Sequence, residues 1–418
     1  MDVHTYTAFR SPHMNDMVLT KMPSPAIASD VARSVLQWFE SNSQCQKKVL
    51  PSEWTVLAGI VLCSPSSEPN DKLRVLAVAT GNKCLGRRDL NADGLVVNDC
   101  HAEVLARRAL LRYLYAEALS WQENGLELSE HSIFERHSTS RRLVLKPQHS
   151  LHLFISEAPC GDAAIYELRH DVVDELVQQR EAKTGQAGQR ERSALRLTGA
   201  KAHSKRPRDE DADDLQPDKK FAQAVGIARV KSGRSDLPLE KQTLSMSCSD
   251  KLAKWNALGL QGSLGFEPIF LSSIIVSKDE EALSVTKQEY ALQRALCTRL
   301  QDRKALVDGA QLSCETSVAS DIPHFSRRRA SDRTPSSLAL NWTTREPYWT
   351  RVQQQNPLVA KFFNNFELEF LMAATGFKQG AKKASKMDRV AMDKVASRLA
   401  KRNLLRAFQH LVSLTWLQ

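Results

Sequence analysis

The chain has 418 residues, 42% of them apolar, enough to bury a full core in one large domain or two medium ones. Its net charge of +10 favours a polyanionic partner, because each neutralised phosphate releases counterions; a basic surface that is merely solvated is the competing explanation. The start, Met1-Asp2-Val3-His4, has no basic stretch ahead of an apolar core, and the longest apolar run, around Trp54 to Cys63, is too short to span a bilayer, so neither a secretory signal nor a membrane span is expected.

In chain order, residues 1–27 are polar and punctuated by Pro and Ser, and read as loose. Asp30 to Glu40 has helical spacing (Val31, Val35, Leu36, Phe39), with Ser29 or Asp30 as its cap. Together these make an N-terminal segment over 1–50, followed by one large domain over 51–415. Trp54 to Cys63 and Leu73 to Thr80 read as buried strands separated by turn-rich sequence. Asp99 to Glu117 reads as a helix with His101 and Glu103 in its first turn. Leu151, Leu153 and Ile155 alternate with His152 and Phe154 in a strand that ends just before Pro159-Cys160, and a helix is expected after Gly161. Residues from about 180 to 227 are charged and nearly free of aromatics, a composition that cannot offset ordering entropy, so they read as a disordered surface insertion. Within it, Lys205-Arg206-Pro207-Arg208 is either a nuclear import signal or a solvated charge cluster. Phe270 to Val276 is a further strand. A polar loop covers about 315–337, with Arg327-Arg328-Arg329, and Asp279 to Gln301 and Lys386 to Leu414 are helical. Strand-helix alternation gives an α/β layered fold. Eight cysteines at irregular spacings, with no leader, point to an intracellular, reducing environment (cytoplasm, nucleus or both), where thiols serve as metal ligands more often than as disulfides.

Three motifs carry the chemistry: His101-Ala102-Glu103, Pro159-Cys160-Gly161-Asp162 and Ser247-Cys248-Ser249-Asp250-Lys251. They supply one imidazole, two thiolates and a carboxylate that need not bind metal. That set holds zinc with one position open and a proton carrier beside it. Zinc so bound acidifies its water, and Glu103 is placed to move the proton to a leaving amine. Nucleobase deaminases pair H-x-E with P-C-x-x-C. Here Ala163 stands where the second cysteine of that pattern belongs, and Cys248, 248 − 160 = 88 residues on, is the best candidate for the third ligand. Each motif alone is weak; their occurrence together and in order is not. A cysteine at a helix N-terminus also faces free N–H groups that favour its thiolate.

With these motifs and their flanks, Gly81-Asn82-Lys83-Cys84, Asn98 to Glu103 with Arg107-Arg108, Ser156 to Asp162, and Ser245 to Lys251 through Lys254-Trp255-Asn256 to Gly262-Ser263, the chain resembles the catalytic domain shared by tRNA-specific and double-stranded-RNA adenosine deaminases. The resemblance covers roughly residues 50 to 415 outside the two polar stretches. It implies a cytidine-deaminase-like three-layer core with a central mixed sheet, enlarged by C-terminal helices and a polar insertion. It also implies hydrolytic deamination of adenosine to inosine, with zinc on His101, Cys160 and Cys248 and Glu103 as proton carrier. Asn82, Gly233-Arg234-Ser235-Asp236 and Thr375-Gly376-Phe377-Lys378-Gln379-Gly380 resemble the branch acting 3′ of the anticodon in alanine tRNA, so tRNA is the implied partner; no protein partner is evident and a monomer is expected. The family further implies a buried inositol hexakisphosphate, at positions matching Lys83, Asn98, Arg107, Arg108, Ser245, Lys251, Lys254, Trp255 and Ser263. The chain ends at Gln418, before a further segment that in the family closes over this anion, so a more exposed, weaker-bound anion is expected. A different class of function is an RNA-binding protein of this fold that has lost catalysis; the intact Glu103 argues against it. A free-nucleoside or cytidine deaminase is disfavoured by the broken C-x-x-C and by the basic charge.

Overall fold

The computed structural model describes residues 25–65, 72–124, 132–140, 142–165, 226, 228–231, 238–262, 266–279, 284–301, 315–350, 368–382 and 386–413. Apart from Gly226, the 180–227 insertion lies outside them, as do Ser263 and Gly233 to Asp236.

Helix α1 (Pro25–Ser41) begins ahead of the expected Ser29 or Asp30 cap. Pro25 opens it, since a fixed φ and a missing N–H suit the first helical position. Asn42 caps α2 (Ser43–Lys48), its side chain accepting from the N–H groups of Gln44 and Cys45. The run from Trp54 to Cys63 divides in two. Strand β1 (Glu53–Trp54) pairs with β9 (Thr334–Pro335), while β2 (Leu57–Cys63) joins the main sheet. The N–H of Thr55 leaves the strand to donate to the carbonyl of Arg327.

The main sheet contains β2, β3 (Leu73–Thr80), β6 (Ser150–Ile155), β7 (Ser273–Ser277), β8 (Glu315–Ala319), β10 (Leu338–Thr343) and β11 (Glu369–Met372), in the order β11-β10-β3-β2-β6-β7-β8. Pairing is antiparallel from β11 to β6 and parallel from β6 to β8. A separate hairpin joins β4 (Phe134–Arg136) and β5 (Leu143–Leu145). This is the expected mixed sheet of an α/β fold. The segment read as a polar loop over 315–337 supplies the edge strand β8 and also β9. Phe325 within it is buried, and Arg327 donates to the carbonyl of Val49 at 3.0 Å and to Gln46 Oε1 at 3.1 Å. Polar sequence here marks a strand at a sheet edge, which needs fewer apolar residues than a central one.

Helix α1 covers one face of the sheet. Helices α3 (Ala102–Asn124), α4 (Cys248–Leu258) and α5 (Val285–Gln293) lie on the other. Alternation sorts the strand residues between these layers: Leu151, Leu153 and Ile155 face the α3 side, and Phe154 faces α1. Gly59 on β2 permits the close approach of α1, for a Cβ there would lie 2.6 Å from the Val35 methyls. Phe39 on α1 is fully buried and meets Phe325 edge-on, ring centroids 4.9 Å apart. Phe39→Ala is expected to cost about 3–5 kcal/mol of stability, read as a lowered midpoint in urea unfolding.

The C-terminal helix expected over Lys386 to Leu414 is two helices, α6 (Arg389–Val395) and α7 (Lys401–Ser413). Between them the backbone turns inward. Ala396 bridges to Phe377, Ser397 Oγ donates to Glu369 Oε2 at 2.6 Å, and the Arg398 guanidinium donates to Asn341 Oδ1 and O at 2.8 and 2.9 Å. Those side-chain bonds replace helical ones. The helix expected from Asp279 starts at Val285 behind a Ser284 cap, passes through a π turn (Arg294–Thr298) and ends at Arg299–Gln301. No helix among the described residues is long and apolar enough to cross a membrane.

Candidate active site

His101 stands one residue before α3, not within its first turn. Asp99 turns the chain there, accepting from the His101 backbone N–H at 3.1 Å and lying 2.8 Å from its ring Nδ1. Burial would raise the Asp99 pKa, but Lys231, His101 and Lys251 outweigh it and hold the carboxyl well below the usual range. An ionised carboxylate only accepts, so Nδ1 donates and Nε2 is left free to ligate. Burial and Lys231 pull the imidazole pKa down, but Asp99 prevails and lifts it to about 9.

Cys160 follows the end of β6. The turn after it is a short 3-10 turn, Asp162–Ala164, and any longer helix there would lie outside the described residues. Cys248 is the first residue of α4, whose N-cap Ser247 accepts from the Asp250 N–H at 3.1 Å. The two cysteine segments interlock. Ser249 Oγ donates to the carbonyls of Pro159 and Cys160 and accepts from the Ala163 N–H at 3.0 Å, and the Cys248 N–H points at Cys160 Sγ at 3.4 Å. Gly161 sits at φ +110 between them, where a Cβ would strike Ser247 Oγ at 2.5 Å. The ligand atoms of His101, Cys160 and Cys248 all lie within 4.8 Å of one another. The Cys248 thiol, donating to Cys160, holds Cys160 well below the ordinary thiol range, while burial pushes Cys248 up.

Glu103 is buried in the first turn of α3, and its Oε2 has no hydrogen-bond partner among the described residues. Its charge is felt at Cys248 and at Lys231. Lys231 is a member of the site that the sequence did not mark. It is buried, 2.8 Å from Asp99 Oδ2 and 3.0 Å from Oδ1, so Asp99 ties one hidden lysine to the imidazole. Nothing in its spacing sets Lys231 apart. Lys251 reaches the same Asp99 Oδ2.

The other positions implied by resemblance divide. Arg107 and Arg108 lie half-buried on α3. The Arg107 guanidinium sits over the Trp255 ring, 4.9 Å from its centroid, and its Nε is buried without a hydrogen-bond partner among the described residues. Burial lowers its pKa to about 10, with Arg108 adding to the effect. Arg108 donates to the Leu399 carbonyl. Asn98 and Ser245 are half-buried. Lys83 donates to the Pro335 carbonyl at 3.3 Å, and Lys254 is exposed. The structure adds Arg112 on α3 and Arg398, both buried. Burial, then Arg398, lowers the Arg112 pKa to about 9.

Residues 77–416 match the adenosine-deaminase (editase) domain family. The chain is 32% identical to tRNA-specific adenosine deaminase 1 of Drosophila melanogaster over 318 residues, covering 75% of this chain and 70% of that protein. It is 27% identical to the Homo sapiens protein of the same name over 451 residues, covering 86% and 83%. Against the double-stranded RNA-specific adenosine deaminase of Mus musculus it is 29% identical over 299 residues, covering 70% of this chain and 23% of that larger protein.

Proposed function

We propose zinc-dependent, hydrolytic conversion of adenosine to inosine in tRNA as the activity of this chain, which belongs to the adenosine-deaminase (editase) domain family. It is an adenosine deaminase of the editing type. The observation that carries the zinc reading is the convergence of His101, Cys160 and Cys248 beside the unpartnered Oε2 of buried Glu103. Two thiolates and an imidazole suit zinc, and three protein ligands leave one tetrahedral position open. Zinc held there would act as a Lewis acid and lower the pKa of a water molecule.

The chain's own residues supply the rest. Glu103, outside the ligand set, takes one proton of the attacking water on Oε2 and delivers it to purine N1, then carries the second proton, from the new C6 hydroxyl, to the departing amine. Oxygen is gained at C6, ammonia leaves, and inosine remains. Asp99 fixes the His101 tautomer, and Lys231 keeps Asp99 ionised. Asp99→Asn is expected to weaken zinc retention about 10–100-fold, measured by competition with a chelator, because the ring loses its orienting carboxylate.

The tRNA reading, at the adenosine 3′ of the anticodon in alanine tRNA, is supported by the long matches to tRNA-specific adenosine deaminase 1 and by the charge of +10. Incubating the protein with a panel of tRNAs and sequencing for inosine tests it. Inosine in alanine tRNA is expected. Inosine only in duplex RNA would overturn the tRNA reading, and uridine from cytidine would overturn the reaction class.

A bound inositol hexakisphosphate is proposed against the α3 cations. Half-buried Arg107, whose Nε finds no partner among the described residues, and buried Arg112 lie within a few helical positions of Arg108. Cations clustered in partial burial are costly, since burial and Arg108 together lower the Arg107 pKa, and a polyanion would offset several like charges together. Mass spectrometry of the denatured protein is expected to show the anion; an active, zinc-loaded chain without it would refute this part.

A further inference from the structure

We infer that Arg294 and Arg299 are positioning residues that hold the two cysteine ligands in register, acting through Asp162 and Asp250; this rests on reading His101, Cys160 and Cys248 as the metal centre. Each cysteine is followed two residues later by an aspartate, Asp162 after Cys160 and Asp250 after Cys248. The two aspartates are met by arginines from one helical segment. Arg294, buried, brings Nε to 3.4 Å from Asp162 Oδ2, and its Nη2 donates to the carbonyls of Asp162 and Ile165, both at 2.8 Å. Arg299 Nη1 donates to Asp250 Oδ1 at 2.6 Å. Arg229 links the pairs. Its backbone N–H donates to Asp250 Oδ2 at 2.8 Å, its Nη2 lies 3.9 Å from Asp162 Oδ1, and its carbonyl accepts from the Ser247 N–H at 2.8 Å.

The π turn explains how one helix serves both aspartates. In an α-helix, residues five apart diverge by about 140° around the axis. Here the turn Arg294–Thr298 closes with the Arg299 N–H donating to the Arg294 carbonyl, which brings residues 294 and 299 toward the same side. The extra residue in that turn therefore aligns two guanidinium groups with two carboxylates. Two sulfurs on one tetrahedral zinc must lie about 3.8 Å apart. Hydrogen bonds through Ser249 and from the Cys248 N–H to Cys160 Sγ join the two cysteine segments, and the two arginine–aspartate contacts brace the residues that follow each cysteine. The Arg294 guanidinium spans the Asp162 carboxylate and two backbone carbonyls at once, and Arg299 holds Asp250 Oδ1, contacts whose planar geometry a flexible lysine would not reproduce.

The experiment compares wild type with Arg299→Lys, Arg294→Lys and the charge-neutral double variant Arg299→Met/Asp250→Asn. Three quantities are read: zinc release to a chelator, the visible absorption of the cobalt-substituted protein, and thermal unfolding of the metal-free chain. The lysine variants keep the charge that balances the aspartates, and the double variant removes both partners, so folded protein is available. Zinc release is expected to quicken by about tenfold or more, with the cobalt ligand-field bands shifted or broadened. A purely structural role would lower the unfolding temperature and leave the cobalt spectrum of the loaded protein unchanged; that result overturns the inference. A wild-type chain that takes up neither zinc nor cobalt would instead overturn the metal-centre reading beneath it.

Discussion

Deamination falls by about two to four orders of magnitude in a Glu103→Ala variant while zinc content stays at its wild-type level. The carboxylate is buried in the first turn of α3, one helical residue after the His101 junction, and is not among the three clustered ligands. One of its oxygens finds no hydrogen-bond partner among the described residues. An unsatisfied buried acceptor is costly to keep, and a group kept so at a reaction centre is suited to receive a proton. Truncation removes that oxygen together with the strain of burying it, so the folded chain should be no less stable. Single-turnover inosine formation and metal analysis on the same sample check both halves. Activity within a few-fold of wild type would place the proton carrier elsewhere.

The second large effect is on the metal itself. Cys248→Ala should reduce zinc to trace amounts and abolish deamination, whereas Cys45→Ala and Cys297→Ala should retain both. All three cysteines are buried. Burial pushes Cys45 to about 12 and, against a hydrogen bond with Asn256, Cys297 to about 11, as expected of inert thiols. Cys248 differs in its partners. It opens α4, its N–H faces Cys160 Sγ, and its thiol hydrogen-bonds to that sulfur. Removing it leaves His101 and Cys160, a two-ligand set too poor to retain zinc against a chelator. Elemental analysis after dialysis decides the matter, and zinc undiminished in Cys248→Ala would remove Cys248 from the ligand set.

Much of the frame could be read from local pattern. The alternation of Leu151, Leu153 and Ile155 gave β6, and Leu73 to Thr80 is β3 without change, because both strands are central and most of their residues are buried. The cluster of His101, Cys160 and Cys248 was legible because that combination of side chains in ordered motifs is rare. Lys231, Arg112, Arg294, Arg299 and Arg398 were not. Each is a common cation whose importance lies in a carboxylate, an amide or another cation that is distant in sequence, as with Lys231 and Asp99, 231 − 99 = 132 residues apart. Helical periodicity also ran straight through 396–400, since Ala396 to Ala400 are acceptable helix formers; their turn is imposed by Glu369 and Asn341 on neighbouring strands. Long-range hydrogen bonds of this kind leave no periodic trace.

The interlock of the Cys160 and Cys248 segments also fixes an order of events during synthesis. Residues 101 and 160 leave the ribosome first, and the centre cannot close until residue 248 follows, 248 − 160 = 88 residues later. At ordinary elongation speeds that interval is roughly 4 to 18 seconds. Throughout it β6 lacks its parallel neighbour β7, and Cys160 lacks the Cys248 N–H and the Ser249 hydroxyl that hold its turn. The nascent chain therefore carries an exposed thiol beside an unpaired strand edge, and its yield should depend on reducing conditions and zinc supply during translation more than on either afterwards.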